Sequence, residues 1–82
     1  MLTRINMMGL TFHLFPVEGK TKIVYNKKFI EINMNINELS QCWFNWQMRG
    51  QYIQDAFREL SNAEREFILT GITPDEWNEL PF

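Results

Sequence analysis

Ile30-Glu31-Ile32-Asn33-Met34-Asn35-Ile36-Asn37-Glu38-Leu39-Ser40-Gln41-Cys42-Trp43-Phe44-Asn45-Trp46 changes period halfway along its length. In its first half Ile30, Ile32, Met34 and Ile36 alternate with Glu31, Asn33 and Asn35, the pattern of a strand with one apolar and one polar face. In its second half Leu39, Cys42, Trp43 and Trp46 fall on one side of a helical wheel. Asn35 or Asn37 supplies the N-cap, and Gly50, after Arg49, supplies a stop or a kink. A half-buried strand followed at once by a helix with an apolar side is a sheet receiving its cover, so the predicted fold class is α+β.

Toward the N-terminus, Leu10, Phe12 and Leu14 alternate with Thr11, His13 and Phe15, a second half-buried strand that Pro16 ends or places at an edge. Glu18-Gly19 reads as a turn. Thr21 to Tyr25 reads as a strand with Ile23 and Tyr25 on one face, and Asn26-Lys27-Lys28 turns the chain into the strand at Ile30. The expectation is a small three-stranded antiparallel meander over residues 10–36, preceded by disorder in residues 1–8.

Toward the C-terminus, Tyr52, Ile53, Ala56, Phe57 and Leu60 form one helical stripe. Ser61 and Glu64 make a capping box, in which the hydroxyl takes an amide of the first turn and the carboxylate reaches back to the cap's own amide. Thr73 and Glu76 repeat the device, with Pro74 at the first helical position, where its missing N–H costs nothing. Gly71 stands where a left-handed helix stop is wanted. Ile72 and Trp77 have the spacing of a hydrophobic staple. Phe67, Ile68 and Trp77 are expected to close the core. Residues 37–80 therefore read as three to four short helices packed on one face of the sheet, in one domain spanning 1–82.

At 82 residues the chain can build one small core, for which seven Phe, three Trp, two Tyr and five Met supply the bulk. The single cysteine, Cys42, rules out an internal disulfide and suits a reducing compartment. No apolar run approaches the ~20 residues of a membrane helix, and the start lacks a signal-peptide pattern; a cytoplasmic protein is expected.

The chemistry-bearing residues are sparse. His13 is the only histidine, and a His13–Cys42 nucleophile pair would need a third, orienting group that the sequence does not offer. Cys42 lies beside Trp43 on the side of the helix expected to be buried, where a thiol behaves as a small hydrophobe. One Cys and one His do not make a zinc site, and there is no glycine-rich phosphate loop or dinucleotide fingerprint. No catalytic residue, metal or cofactor is expected.

Two features point instead to macromolecular contact. Phe44 and Met48 lie nearly opposite the tryptophan side of their helix, so they are either covered by the later helices or offered to a partner. Charge is also divided: residues 1–54 hold six basic and three acidic residues, residues 55–82 two basic and seven acidic. Asp55, Glu59, Glu66, Asp75 and Glu79 are thus candidate partner contacts, through a phosphate-like acidic surface. The alternative is a single-stranded nucleic-acid binder that uses Lys20, Lys22, Lys27 and Lys28 with Phe15, Tyr25 and Phe29 nearby. A third reading is a self-associating structural or regulatory protein, a homodimer with Phe44 and Met48 at a symmetric interface.

Ile53-Gln54-Asp55-Ala56-Phe57, Leu60-Ser61, Glu64-Arg65-Glu66-Phe67 and Gly71-Ile72-Thr73-Pro74-Asp75-Glu76-Trp77 together resemble the C-terminal part of short proteins encoded by bacteriophages and phage-derived elements. The likeness covers under a third of the chain, and Arg58 stands where that pattern has proline. It implies a small phage accessory protein acting in the bacterial host cytoplasm. Such proteins often bind and block a host protein, here a nucleic-acid enzyme or an antiviral defence complex, in the manner of an anti-CRISPR inhibitor. No catalytic residues carry over.

Overall fold

The computed structural model describes residues 1–79, apart from the side chains of Trp77 and Asn78. Four strands, β1 (Leu2–Ile5), β2 (Thr11–Val17), β3 (Lys20–Tyr25) and β4 (Lys28–Ile32), precede four helices, α1 (Ile36–Gln47), α2 (Ile53–Ala56), α3 (Asn62–Thr70) and α4 (Pro74–Glu79). The strands form one antiparallel sheet in the order β1-β2-β3-β4. The fold is α+β as read, but the sheet has a fourth strand where disorder was expected.

Short-range pattern could not reveal β1. Leu2-Thr3-Arg4-Ile5 is short and only weakly alternating, and Leu2 opposite Leu14 and Arg4 opposite Phe12 acquire a face only through β2. The anchor is Asn6, which is 4% exposed. Its Nδ2 donates to the carbonyls of Ile68 (2.8 Å) and Leu69 (2.9 Å) near the end of α3, and its Oδ1 accepts from the amides of Met8 and Leu10 (2.9 Å each). All four of the amide's bonding positions are used, tying the first hairpin to a helix more than sixty residues away.

The other hairpins have two-residue loops. Glu18 and Gly19, then Asn26 and Lys27, all have positive φ, the condition of turns whose twist matches the strands. Pro16 sits inside β2 rather than ending it. Its nitrogen side faces the place where β1, whose pairing stops at Leu2 opposite Leu14, has already finished, so it is at an edge locally. β4 ends at Ile32, before the expected Ile36, because Thr21 Oγ1 donates to the Met34 carbonyl at 2.8 Å and draws the chain off the ladder toward α1.

Phe12, Leu14, Ile23, Ile30 and Ile32 point to one face, where Leu39, Trp43 and Trp46 of α1 meet them. Trp43, Trp46 and Phe57 pack edge to face with centroids 5.7–5.9 Å apart, and Phe12 joins Trp43 to Phe67. Each such pair adds about 0.5–1.5 kcal/mol to its burial.

α1 is capped by Asn35, whose side chain accepts from the Glu38 amide, and both predicted capping boxes form: Ser61 with Glu64, and Thr73 with Glu76. Gly71 ends α3 at φ 81°. Of the stripe over 51–60 only one turn, α2, is helical; Ala56, Phe57 and Leu60 are buried while Tyr52 stands exposed. Arg65 closes the corner by donating to the Phe57 and Leu60 carbonyls. The Trp77 part of the predicted staple and core, and the end of the last helix at residue 80, lie outside the described residues.

Candidate functional site

Alternation along each strand puts Phe12 and Leu14 inside and His13 outside. The ring of His13 lies 3.4 Å from Thr3 Oγ1 on the uncovered side of the sheet. Cys42 belongs to α1, on the other side. The sheet therefore stands between the two residues, and a His13–Cys42 pair does not exist. Burial pushes the Cys42 thiol up from its ordinary range, and the carboxylates of Glu59 and Glu38 add to this. A thiol so placed stays protonated at neutral pH, the reverse of an activated nucleophile. Among the described residues no three His, Cys, Asp or Glu side chains come together as a metal site, and no helix is long and apolar enough to cross a membrane.

The later helices leave Phe44 and Met48 open. Phe44 is 49% and Met48 72% exposed, and they flank a depression between α1 and β1 that Arg4, Ile5, Ser40, Trp43 and Gln47 also line. Ile5 borders it at the sheet edge, with its carbonyl toward Trp43 and its side chain, opposite Thr11 in the register, 57% exposed. Sequence reading missed it, because its segment carried no legible strand. Ser40 Oγ and Gln47 Nε2 are shielded from solvent and have no hydrogen-bond partner among the described residues. Such groups are uncommon in native proteins and carry a desolvation cost until something bonds to them. The indole of Trp43 makes only a long bond, 3.4 Å, to the Ile5 carbonyl. This depression thus combines an apolar rim with under-satisfied polar atoms.

The acidic candidates fall on separate surfaces. Asp55 and Glu59 border a depression between α1 and α2 together with Glu38 and Cys42. Glu66 lies on α3 beside Ile53 and Leu69. Asp75 lies at the start of α4, facing Lys27 and Lys28, and Glu79 is exposed further along that helix. Glu76 is held below the usual carboxylate range by the Thr73 amide and by Lys28, whose Nζ is 3.1 Å away.

The lysines divide too. Lys20 and Lys22 project from the open face of the sheet, the face that also carries Phe15 and Phe29, and Lys22 Nζ sits 4.4 Å from the centroid of the Phe29 ring. Lys27 is in the turn, and Lys28 is engaged by Glu76. Tyr25 faces the core against Phe12, away from those lysines.

No family model, curated protein or solved structure matches this chain.

Proposed function

We propose that this chain is a small non-enzymatic binding module of phage type, which acts by seating a segment of a host protein in the depression between β1 and α1. The observation that carries this reading is the exposure of Phe44 and Met48 together at the mouth of this depression, where no later helix covers them. A bound peptide would cover the apolar side chains, which is how a small interface concentrates its energy. Inhibition of a host nucleic-acid enzyme or defence complex follows from the phage-type resemblance. Asp55 and Glu59, beside Glu38, form a separate acidic rim that would steer a basic partner.

The test is capture from bacterial lysate by the immobilised chain, with bound proteins identified by mass spectrometry. Phe44→Asp with Met48→Asp should abolish capture while circular dichroism stays unchanged, since both side chains are exposed. Asp55→Lys with Glu59→Lys should weaken it in a salt-dependent way. Undiminished capture by the first pair would sink the assignment.

A second reading, single-stranded nucleic-acid binding, draws support from Phe15, Phe29, Lys20 and Lys22 on one uncovered sheet face. It predicts retention of oligonucleotides at low salt that disappears with Lys20→Glu and Lys22→Glu. An absence of low-salt retention by the unaltered chain ends it.

A further inference from the structure

We propose that β4 is a self-association edge, through which two copies of this chain join their sheets across a two-fold axis. The two edges of the sheet are treated differently. On β1 the outward backbone groups belong to Thr3 and Ile5. Their carbonyls are already taken, one by the Arg4 guanidinium at 2.9 Å and the other by the Trp43 indole. On β4 the outward residues follow from the turn. The two-residue loop Asn26-Lys27 makes Tyr25 and Lys28 a hydrogen-bonded pair, so bonding alternates and also includes Ile23 with Ile30 and Thr21 with Ile32. Phe29 and Glu31 therefore turn their N–H and C=O groups away from β3, and no partner for them occurs among the described residues.

That edge is complementary to itself. A two-fold axis through Ile30 sets Phe29 opposite the partner's Glu31 and Glu31 opposite the partner's Phe29, so the outward groups of both copies form four hydrogen bonds. On the inner face Ile30 meets the partner's Ile30, extending the apolar layer.

On the outer face the charges also match. Lys22 makes no ion pair with Glu31, its own cross-strand neighbour; it reaches diagonally over the Phe29 ring toward the edge. In the paired sheets the partner's Glu31 lies beside that ring and so beside the Lys22 ammonium, twice over by symmetry. Phe29, 55% exposed in the single chain, is covered in the process. Thr73 and the first turn of α4 share with Phe29, Ile30 and Glu31 an open depression along this edge, the space a partner strand would enter. The ion pair to Lys28, which faces the partner's Ile32, sets the two copies of α4 toward opposite ends of the joint.

The experiment is sedimentation equilibrium on the full chain, with a mixing arm that separates contacts between copies from those within one. The unaltered chain should be a dimer. K22E alone and E31K alone each place like charges across the axis and should weaken association at least ~tenfold. Mixed in equal amounts they should form a heterodimer, because each then supplies the sign the other lacks. F29P removes an outward amide together with the ring beneath Lys22, neither of which bonds to β3, and should be monomeric with unchanged circular dichroism. A monomeric wild type at millimolar concentration, single charge variants that dimerise as well as the wild type, or a mixture that stays monomeric would each overturn the proposal.

Discussion

Asn6 is a buried side chain that joins the first hairpin to the last turn of α3, and replacing it should loosen β1 and the depression beside it together. Asn6→Ala deletes four hydrogen bonds of 2.8–2.9 Å and leaves the Ile68 and Leu69 carbonyls and the Met8 and Leu10 amides short of a partner. At about 0.5–1.5 kcal/mol net for each bond, with some groups regaining water, the expected loss is about 3 kcal/mol. For a domain of this size that lowers Tm by about 12–24 °C. Asn6→Asp is the sharper probe. It keeps an oxygen to accept from the two amides but sets a second oxygen against two carbonyls. The ionised form is disfavoured in the fold, so the folded pKa must rise above the unfolded value of about 3.9. Relative to wild type, the deficit should be smallest below that value. It should grow as pH rises through the raised folded pKa, and then level off. Chemical denaturation of wild type and variant from pH 3 to 8 measures this difference directly. A cost below ~1 kcal/mol for the alanine variant, or an aspartate deficit that does not change with pH, would refute the account of this residue.

At Gly71 a Cβ would come within 2.5 Å of the Tyr25 ring, which Phe12 holds in place, whereas at Gly50, also at positive φ, it meets nothing. Gly71→Ala should therefore cost at least ~2 kcal/mol more than Gly50→Ala in urea titrations, and equal costs would contradict the packing. Lys27 occupies a left-handed turn position at φ 65°, so Lys27→Gly should raise stability by roughly 0.5–1 kcal/mol, read as an upward shift in the denaturation midpoint. Ser61→Ala removes one half of a capping box and should lower stability by about 1 kcal/mol, visible as a lower Tm. Alkylation of Cys42 by iodoacetamide should show a pH profile displaced upward from that of a free thiol, with Glu59→Gln moving it part of the way back. The same shift predicts that stability falls as pH rises past the ordinary thiol pKa, where the unfolded chain gives up its proton first.

Local chemistry alone determined much of this molecule. The change of period between Ile30 and Trp46 separated sheet from helix, because a pleated strand and a helix turn their side chains at different rates. Both capping boxes and the Gly71 stop were legible, since each involves residues within about four positions, within reach of a side chain. The interior positions Phe12 and Leu14 of β2 and Leu39, Trp43 and Trp46 of α1 followed from the same periodicities, while Cys42, expected among them, is only partly buried.

Tertiary structure decided the rest. β1 exists because Asn6 grips carbonyls more than sixty residues away and because β2 offers Leu2 and Arg4 a partner, neither of which a local pattern encodes. The exposure of Phe44 and Met48 turned on where the later helices went. α2 runs for a single turn and those helices pack elsewhere, so the side of α1 beside β1 stays open. The acidic residues were countable in the sequence, but only the path of α2, α3 and α4 placed them on separate surfaces. A side chain's periodicity is fixed by its own backbone, while its surroundings are fixed by where distant segments find room to pack.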